Sequence, residues 1–255
     1  MTDAVAMNAP AQSFRDALQR GGVIGTIAFL TLVDLFAAQA VLPSLARVYG
    51  VSPGIMGLAV NASTLGMAIA ALIVALASTR IERRRGIVFS LCLLAVPTLL
   101  LAFAPDIKTF SALRVLQGLC MATAFSLTLA YLGENCASHV ASGAFAAYIA
   151  GNVASNLFGR LASASLADHL GLRGNFIALA LLNIAGAAFV VATIRASRAP
   201  IASRKSGEGL EGLRANLIRP EQRAAYLVGF LILFAFIGAF SFVNFVLTQP
   251  PISLN

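Results

Sequence analysis

Seven runs of apolar residues, each long enough to cross a lipid bilayer as a helix, limit what this chain can fold into. They cover residues 23–42, 55–78, 87–104, 110–132, 140–166, 176–194 and 225–247. A bilayer core about 30 Å thick takes roughly 20 helical residues to span. Backbone N–H and C=O groups in lipid must be paired within the chain, which leaves only helices and closed barrels. Barrel strands alternate apolar and polar residues over about ten positions. These runs do not alternate, so the expected fold is all-α: a polytopic membrane bundle of about seven transmembrane helices. Composition agrees. Of 255 residues, 59% are hydrophobic and only 11% charged, against about 25% charged in soluble domains. A soluble domain of this length has too little interior to hide that much apolar surface.

The net charge is +8, but the basic residues occupy short loops between apolar runs, which excludes a nucleic-acid partner. The loops also set orientation. With the N-terminus in the cytoplasm, the inner segments hold Arg15, Arg20, Arg80, Arg83, Arg84, Arg85, Arg195, Arg198, Arg204, Lys205, Arg214, Arg219 and Arg223. The outer loops hold only Arg47, Lys108 and Arg173. This asymmetry is the positive-inside pattern, and the expected location is the cell membrane, as a bacterial inner membrane protein. Ala38-Gln39-Ala40 has a faint look of a signal-peptidase site, but the first run is long and carries Asp34, which favours a true span. Residues 1–22 form a polar tail expected to be flexible. Residues 23–194 form a six-helix bundle, 195–224 a basic linker, and 225–255 a seventh helix that opens a second half not present in the sequence. Cys92, Cys120 and Cys136 fall in or beside apolar runs and lack metal-ligand spacing, so they are expected as buried thiols, not a disulfide framework. No cofactor or metal is expected.

Charged groups inside apolar runs are costly and are functional candidates by default. Three stand out: Asp34 near the middle of the first run, Arg114 near the outer end of the fourth, and Arg160 toward the outer end of the fifth. The expectation is that Asp34 pairs with Arg114 across a central cavity and exchanges a proton as that contact forms and breaks. The plainer readings are a structural ion pair or an arginine snorkelling to the surface. Gln39, Asn61, Thr64, Gln117, Tyr148, Asn152 and Asn156 are expected to line a solute path, with interhelical hydrogen bonding as the alternative. Every fourth position of the fifth run is small: Gly143, Ala147, Gly151, Ser155, Gly159, Ser163 and Ala167. That spacing puts them on one face, where another helix can approach closely.

These motifs resemble the major facilitator superfamily of transporters. Arg114-Val115-Leu116-Gln117-Gly118 matches its Arg-x-x-Gln-Gly motif. Asp34 through Leu42-Pro43 looks like the Asp…Leu-Pro pattern of drug:proton antiporters, and Gly151 to Gly159-Arg160 resembles a loosened form of their glycine-rich motif. Asp168-His169-Leu170-Gly171-Leu172-Arg173 is similar to the family's Asp-x-x-Gly-Trp-Arg stretch. The loop between spans two and three departs from the family's Gly-x-x-x-Asp-Arg-x-Gly-Arg-Arg. Ala75, Thr79 and Glu82 stand where it has glycine, aspartate and glycine, while Arg80, Arg83 and Arg84 keep its basic residues. In the family this loop helps latch the cytoplasmic gate, so Glu82, Arg83 and Arg84 are gating candidates, with Glu82 a partial substitute for the lost carboxylate.

The resemblance implies alternating access between two halves, with a small-molecule substrate, protons as the coupling ion, and efflux as the direction. Asp34 and Arg114 would couple protons. Gln39, Asn61, Gln117, Tyr148, Asn152, Asn156 and Arg160 would line the cavity. Uptake of a sugar or an organic acid is the alternative, as is a non-catalytic half-transporter that assembles with another half. With six spans plus one, the chain is expected to be a truncated product or to need a partner. A retinal pump is excluded because Lys108 and Lys205, the only lysines, both lie in loops. A membrane enzyme is disfavoured because His139 and His169 fall on opposite sides of the bilayer.

Overall fold

The structure is a computed structural model that describes residues 3–77, 81–136, 138–194 and 218–247. Seven helices account for nearly all of them: α1 (Asp3–Ala40), α2 (Leu42–Tyr49), α3 (Pro53–Ala77), α4 (Arg83–Leu101), α5 (Ile107–Asn135), α6 (Ser138–Thr193) and α7 (Pro220–Leu247). Six are long and apolar enough to cross a membrane. The backbone of the polar tail is helical from Asp3 and continues into α1. Most of the basic linker, and Thr79 and Arg80 of the loop after α3, lie outside the described residues.

The apolar stretch Ala141–Thr193 of α6 is 53 residues long, about 80 Å if straight, too long for one crossing. It is broken at Gly171, whose φ of 70° and ψ of 174° are open in practice only to glycine. Asn175 Nδ2 donates to Ser163 Oγ at 2.9 Å across this break. Residues twelve apart on a straight helix would be about 18 Å apart, so the chain folds back on itself. The limbs 138–170 and 172–193 therefore correspond to the fifth and sixth spans expected, and the described residues supply seven segments long enough to cross.

Turn chemistry places the other ends. Pro43 stands in the first turn of α2, where its missing N–H costs nothing, and Gly50 closes that helix with φ 63°. Glu82 caps α4 by accepting from the amides of Arg84 and Arg85, and Asp106 caps α5 by accepting from those of Lys108 and Thr109. The amide and hydroxyl of Thr109 hold the exposed Asp106 carboxyl below the usual carboxylate range.

Small residues set the closest packing. The first limb of α6 runs parallel to α1, meeting it every four residues: Ala147 against Gly21, Gly151 against Gly25, Gly159 against Val33. Ser163 Oγ then donates to the carbonyl of Ala37, 126 positions earlier, at 2.8 Å. A side chain on Gly151 would stand 2.1 Å from the Gly25 carbonyl oxygen. The small-residue ladder is thus a backbone-to-backbone seam, as its spacing predicts, although nothing packs within 4 Å of the Cβ position of Gly143. A second seam joins α3 and α5 at Gly66 and Gly118.

The described residues form a small apolar cluster around Ala28, Leu132, Ala144 and Tyr148 and two larger ones. One contains Ile27, Leu35, Ile87, Leu94, Met121 and Val190. The other contains Leu42, Leu45, Met56, Val60, Phe110 and Phe176. Tyr49, Phe110 and Phe176 stack edge to face at the latter's end of the bundle, with centroids 5.6 and 6.2 Å apart. Between the two larger clusters, at mid-depth, lies a layer of buried polar side chains. Helix α7 rests lightly on one face, and its described side chains are exposed except the half-buried Ile237.

Candidate functional site

The mid-depth layer is built from two of the three charged residues singled out in the sequence, Asp34 and Arg114, joined by polar neighbours from three other spans. Asp34 (α1) and Arg114 (α5) are 1% and 0% exposed. Arg114 makes four contacts to oxygen: Nε donates to the Val60 carbonyl at 2.8 Å, Nη2 to Ser63 Oγ at 3.0 Å, Nη1 to Gln117 Oε1 at 2.6 Å and to the Asp34 main-chain carbonyl at 3.3 Å. The expected guanidinium–carboxylate pair is therefore replaced by a mediated one. Gln117 accepts from Arg114 and passes its Nε2 to Thr98 Oγ1 at 2.7 Å and to Asp34 Oδ1 at 3.4 Å. The reason is one of geometry. Gln117 is three residues past Arg114 on the same helix face, so its amide intervenes between the two charges.

Thr98 of α4 completes the group. Its hydroxyl is placed to donate to Asp34 Oδ1 at 3.2 Å or to the Leu94 carbonyl at 2.8 Å, and Asn183 Nδ2 donates to it at 3.4 Å. Asp34 Oδ2 is buried without a hydrogen-bond partner. All of this lies buried inside the bundle. Thr98, Ser63 and Asn183 carry no charge, and the sequence reading passed over them. An asparagine alone in the apolar run 176–194 was the one available signal.

A second polar group sits on the face that α7 touches. Gln39 is five residues beyond Asp34, about 7.5 Å along the helix. Its Nε2 donates to Asn61 Oδ1 at 3.1 Å, and its Oε1 accepts from Arg160 Nη2 at 2.5 Å. Arg160 also donates from Nε to Asn156 Oδ1 at 3.2 Å and from Nη1 to the Phe240 carbonyl at 3.2 Å. Its guanidinium carbon lies 5.1 Å from the Phe240 ring centroid. Asn152 stands one turn before Asn156, half-buried. Four of the cavity residues expected from sequence are thus directly linked. Tyr148 is not among them. It is 2% exposed, donates to the Phe125 carbonyl at 3.2 Å and packs edge to face on Phe125. It belongs to the packing between α5 and α6.

At the other end, the candidate gating residues are engaged within the bundle. Arg83 forks onto Glu134 at the end of α5, Nη2 to Oε1 at 2.6 Å and Nε to Oε2 at 3.0 Å. Arg84 Nη2 donates to the Val191 carbonyl at 2.7 Å, in the last turn of α6, where a cation meets the negative end of the helix dipole. Both Glu82 oxygens accept from α4 amides. The acid that Arg83 grips is therefore Glu134, while Glu82 caps α4 and lies 3.9 Å from Arg85 Nε. We expect Glu82→Ala to cost about 1 kcal/mol through the lost cap, and Glu134→Gln about 0.5 kcal/mol because that pair is partly exposed. Thermal melting of the purified variants tests this ranking.

Comparison with known proteins places these features in context. The family model described as Major Facilitator Superfamily matches residues 24–251. An uncharacterized MFS-type transporter of Bacillus subtilis, YybF, is 27% identical over 89% of this chain and 56% of its own length. A drug efflux pump of Mycobacterium tuberculosis, JefA, is 32% identical over 42% of this chain and 21% of its own. In three dimensions the chain is similar to a bacterial homologue of the human lysosomal transporter Spinster, solved inward-facing and occupied. The TM-score is 0.74 at 15% identity, covering 91% of this chain and 54% of that one. This chain spans about half the length of the curated relatives that match along most of it.

Proposed function

Because this chain belongs to the major facilitator superfamily of membrane transporters, we propose that it carries a small solute by alternating access, exporting it in exchange for protons. The N-terminus and the Arg83–Glu134 end face the cytoplasm of a bacterial cell, and a second six-helix half completes the transport unit. The name of the mycobacterial relative, a drug efflux pump, favours the outward direction.

One observation carries the proton-coupled reading: a carboxyl group buried at mid-depth, approached by neutral donors. Burying a carboxylate is costly unless it is paired and hydrogen-bonded. Asp34 Oδ1 has Thr98 and Gln117 beside it, and Oδ2 has no hydrogen bond. Taking up a proton on Oδ2 removes the charge without breaking an ion pair. The Thr98 hydroxyl has a single proton and two acceptors in range, Asp34 and Leu94. It turns to Asp34 when the carboxyl is charged and to the Leu94 carbonyl when it is protonated. Gln117 carries the change to Arg114. The charge state of Asp34 thereby biases the contact between α1, α4 and α5, the kind of two-state element that coupling requires.

Infrared difference spectroscopy between high and low pH tests this on the purified chain. A protonated-carboxyl C=O band is expected in the wild type and should be missing in Asp34→Asn. Identical spectra from the two proteins would remove Asp34 as the proton carrier.

A further inference from the structure

We propose that Arg160 and Asn156 form the docking site for the carboxylate of an organic anion, making the cargo an acid with an apolar body. This assignment rests on the transport reading only in treating the bound anion as cargo. Arg160 is a permanent cation about half-buried within a membrane span. A charge in that position ordinarily has a counter-ion. Among the described residues the ion pairs are Arg83–Glu134 and Arg85–Glu82, so no carboxylate lies within pairing distance of Arg160. Its partners are neutral oxygens, those of Gln39, Asn156 and the Phe240 main chain.

These three contacts use three of the five guanidinium N–H donors and leave two. A second, independent observation points the same way. Asn156 holds Arg160 by its oxygen while its Nδ2 donor is buried with no partner. A buried amide donor left unpaired costs about 1–3 kcal/mol. The unmet demand at this place is thus positive charge together with N–H donors. A carboxylate meets it: two oxygens, one negative charge and planar acceptor geometry suited to a guanidinium. The apolar part of the ligand follows from the wall beside it, where the Phe240 ring lies over the guanidinium. Neither a sugar nor a cationic drug satisfies the charge.

Benzoate, benzamide and benzylammonium share a ring and differ in charge, and at matched ionic strength they separate the readings. In thermal melting of the purified chain, benzoate is expected to raise the midpoint by roughly 3 °C at tenfold excess over its dissociation constant. The other two probes should leave it in place. Arg160→Gln should abolish the benzoate shift, and Arg160→Lys should retain part of it. Should Arg160→Gln fail to fold, Asn156→Asp gives the same answer, because an internal carboxylate then occupies the arginine and excludes the external one. Equal shifts with benzamide, a benzoate shift that survives Arg160→Gln or Asn156→Asp, or no shift with any probe at millimolar concentration would each overturn the assignment. The Asp34 carboxyl band and the benzoate shift are separate readouts, so proton coupling and anion docking fail independently.

Discussion

Gly118→Ala, the addition of one methyl group, is expected to lower the stability of this protein by more than about 3 kcal/mol, beyond the usual range for overpacking. A Cβ at position 118 would stand 1.9 Å from the carbonyl oxygen of Ser63 and 2.7 Å from its carbonyl carbon. Both are backbone atoms, so no rotamer change relieves the clash and α3 must move away from α5. The reciprocal position is equally closed, with a Cβ on Gly66 falling 2.0 Å from the Val115 carbonyl oxygen. Separating these helices also stretches the bonds from Arg114 to Val60 and Ser63 across the same seam. Gly133→Ala on the same helix is the control. Nothing lies within 4 Å of its Cβ position, and a helical Gly→Ala change there should be neutral or stabilising by up to about 1 kcal/mol. Melting and limited proteolysis of both variants in detergent check the contrast. A Gly118→Ala protein as stable as Gly133→Ala would refute the close approach.

This glycine illustrates what sequence reading reaches. Gly118 is visible as the end of a motif, but its partner is not. Gly66 belongs to no motif, following Gly54 and Gly57 in α3, and only the crossing explains it. The spans were legible because crossing lipid constrains each run by itself, without reference to its neighbours. The ladder in α6 was legible for a related reason: a four-residue period marks a face whatever packs on it. Its partner, by contrast, is a property of the fold. Gly21, Gly25, Val33 and Ala37 follow the same period in α1 and could have been paired with it by matching registers.

Polar chemistry was half legible. Charge alone singled out Asp34, Arg114 and Arg160, since a charge in an apolar run is conspicuous. How they are satisfied was not, because the partners are main-chain carbonyls and hydroxyls that every helix offers. Val60 gives no sign in the sequence of accepting from Arg114. Asp34 and Arg114 are joined here through Gln117 for this reason: a guanidinium with five donors takes whatever oxygens its crossing presents, and Gln117 stood nearer. Glu82 and Glu134 were indistinguishable by composition. One begins a helix, where its carboxylate meets free amides, and the other ends one.

The internal accounting of Asp34 and Arg114 leads to the second large effect, which is one of sign. Arg114→Gln should destabilise the chain by about 3–5 kcal/mol, the cost of leaving one member of a buried charged group uncompensated. The new side chain cannot serve the Val60 carbonyl, Ser63, Gln117 and the Asp34 carbonyl together, and Asp34 loses the one positive charge in its layer. Asp34→Asn alone should cost less, because Arg114 keeps its four oxygen contacts, none of which is to the carboxylate. The double variant removes both charges at once. If the two interact through Gln117, it should be more stable than the sum of the single losses implies, by about 1–3 kcal/mol. A purely additive cycle, measured by denaturant or thermal unfolding in one detergent, would mean that Gln117 insulates the two charges instead of linking them. The route by which a proton on Asp34 reaches α3 would then have to avoid Arg114 altogether.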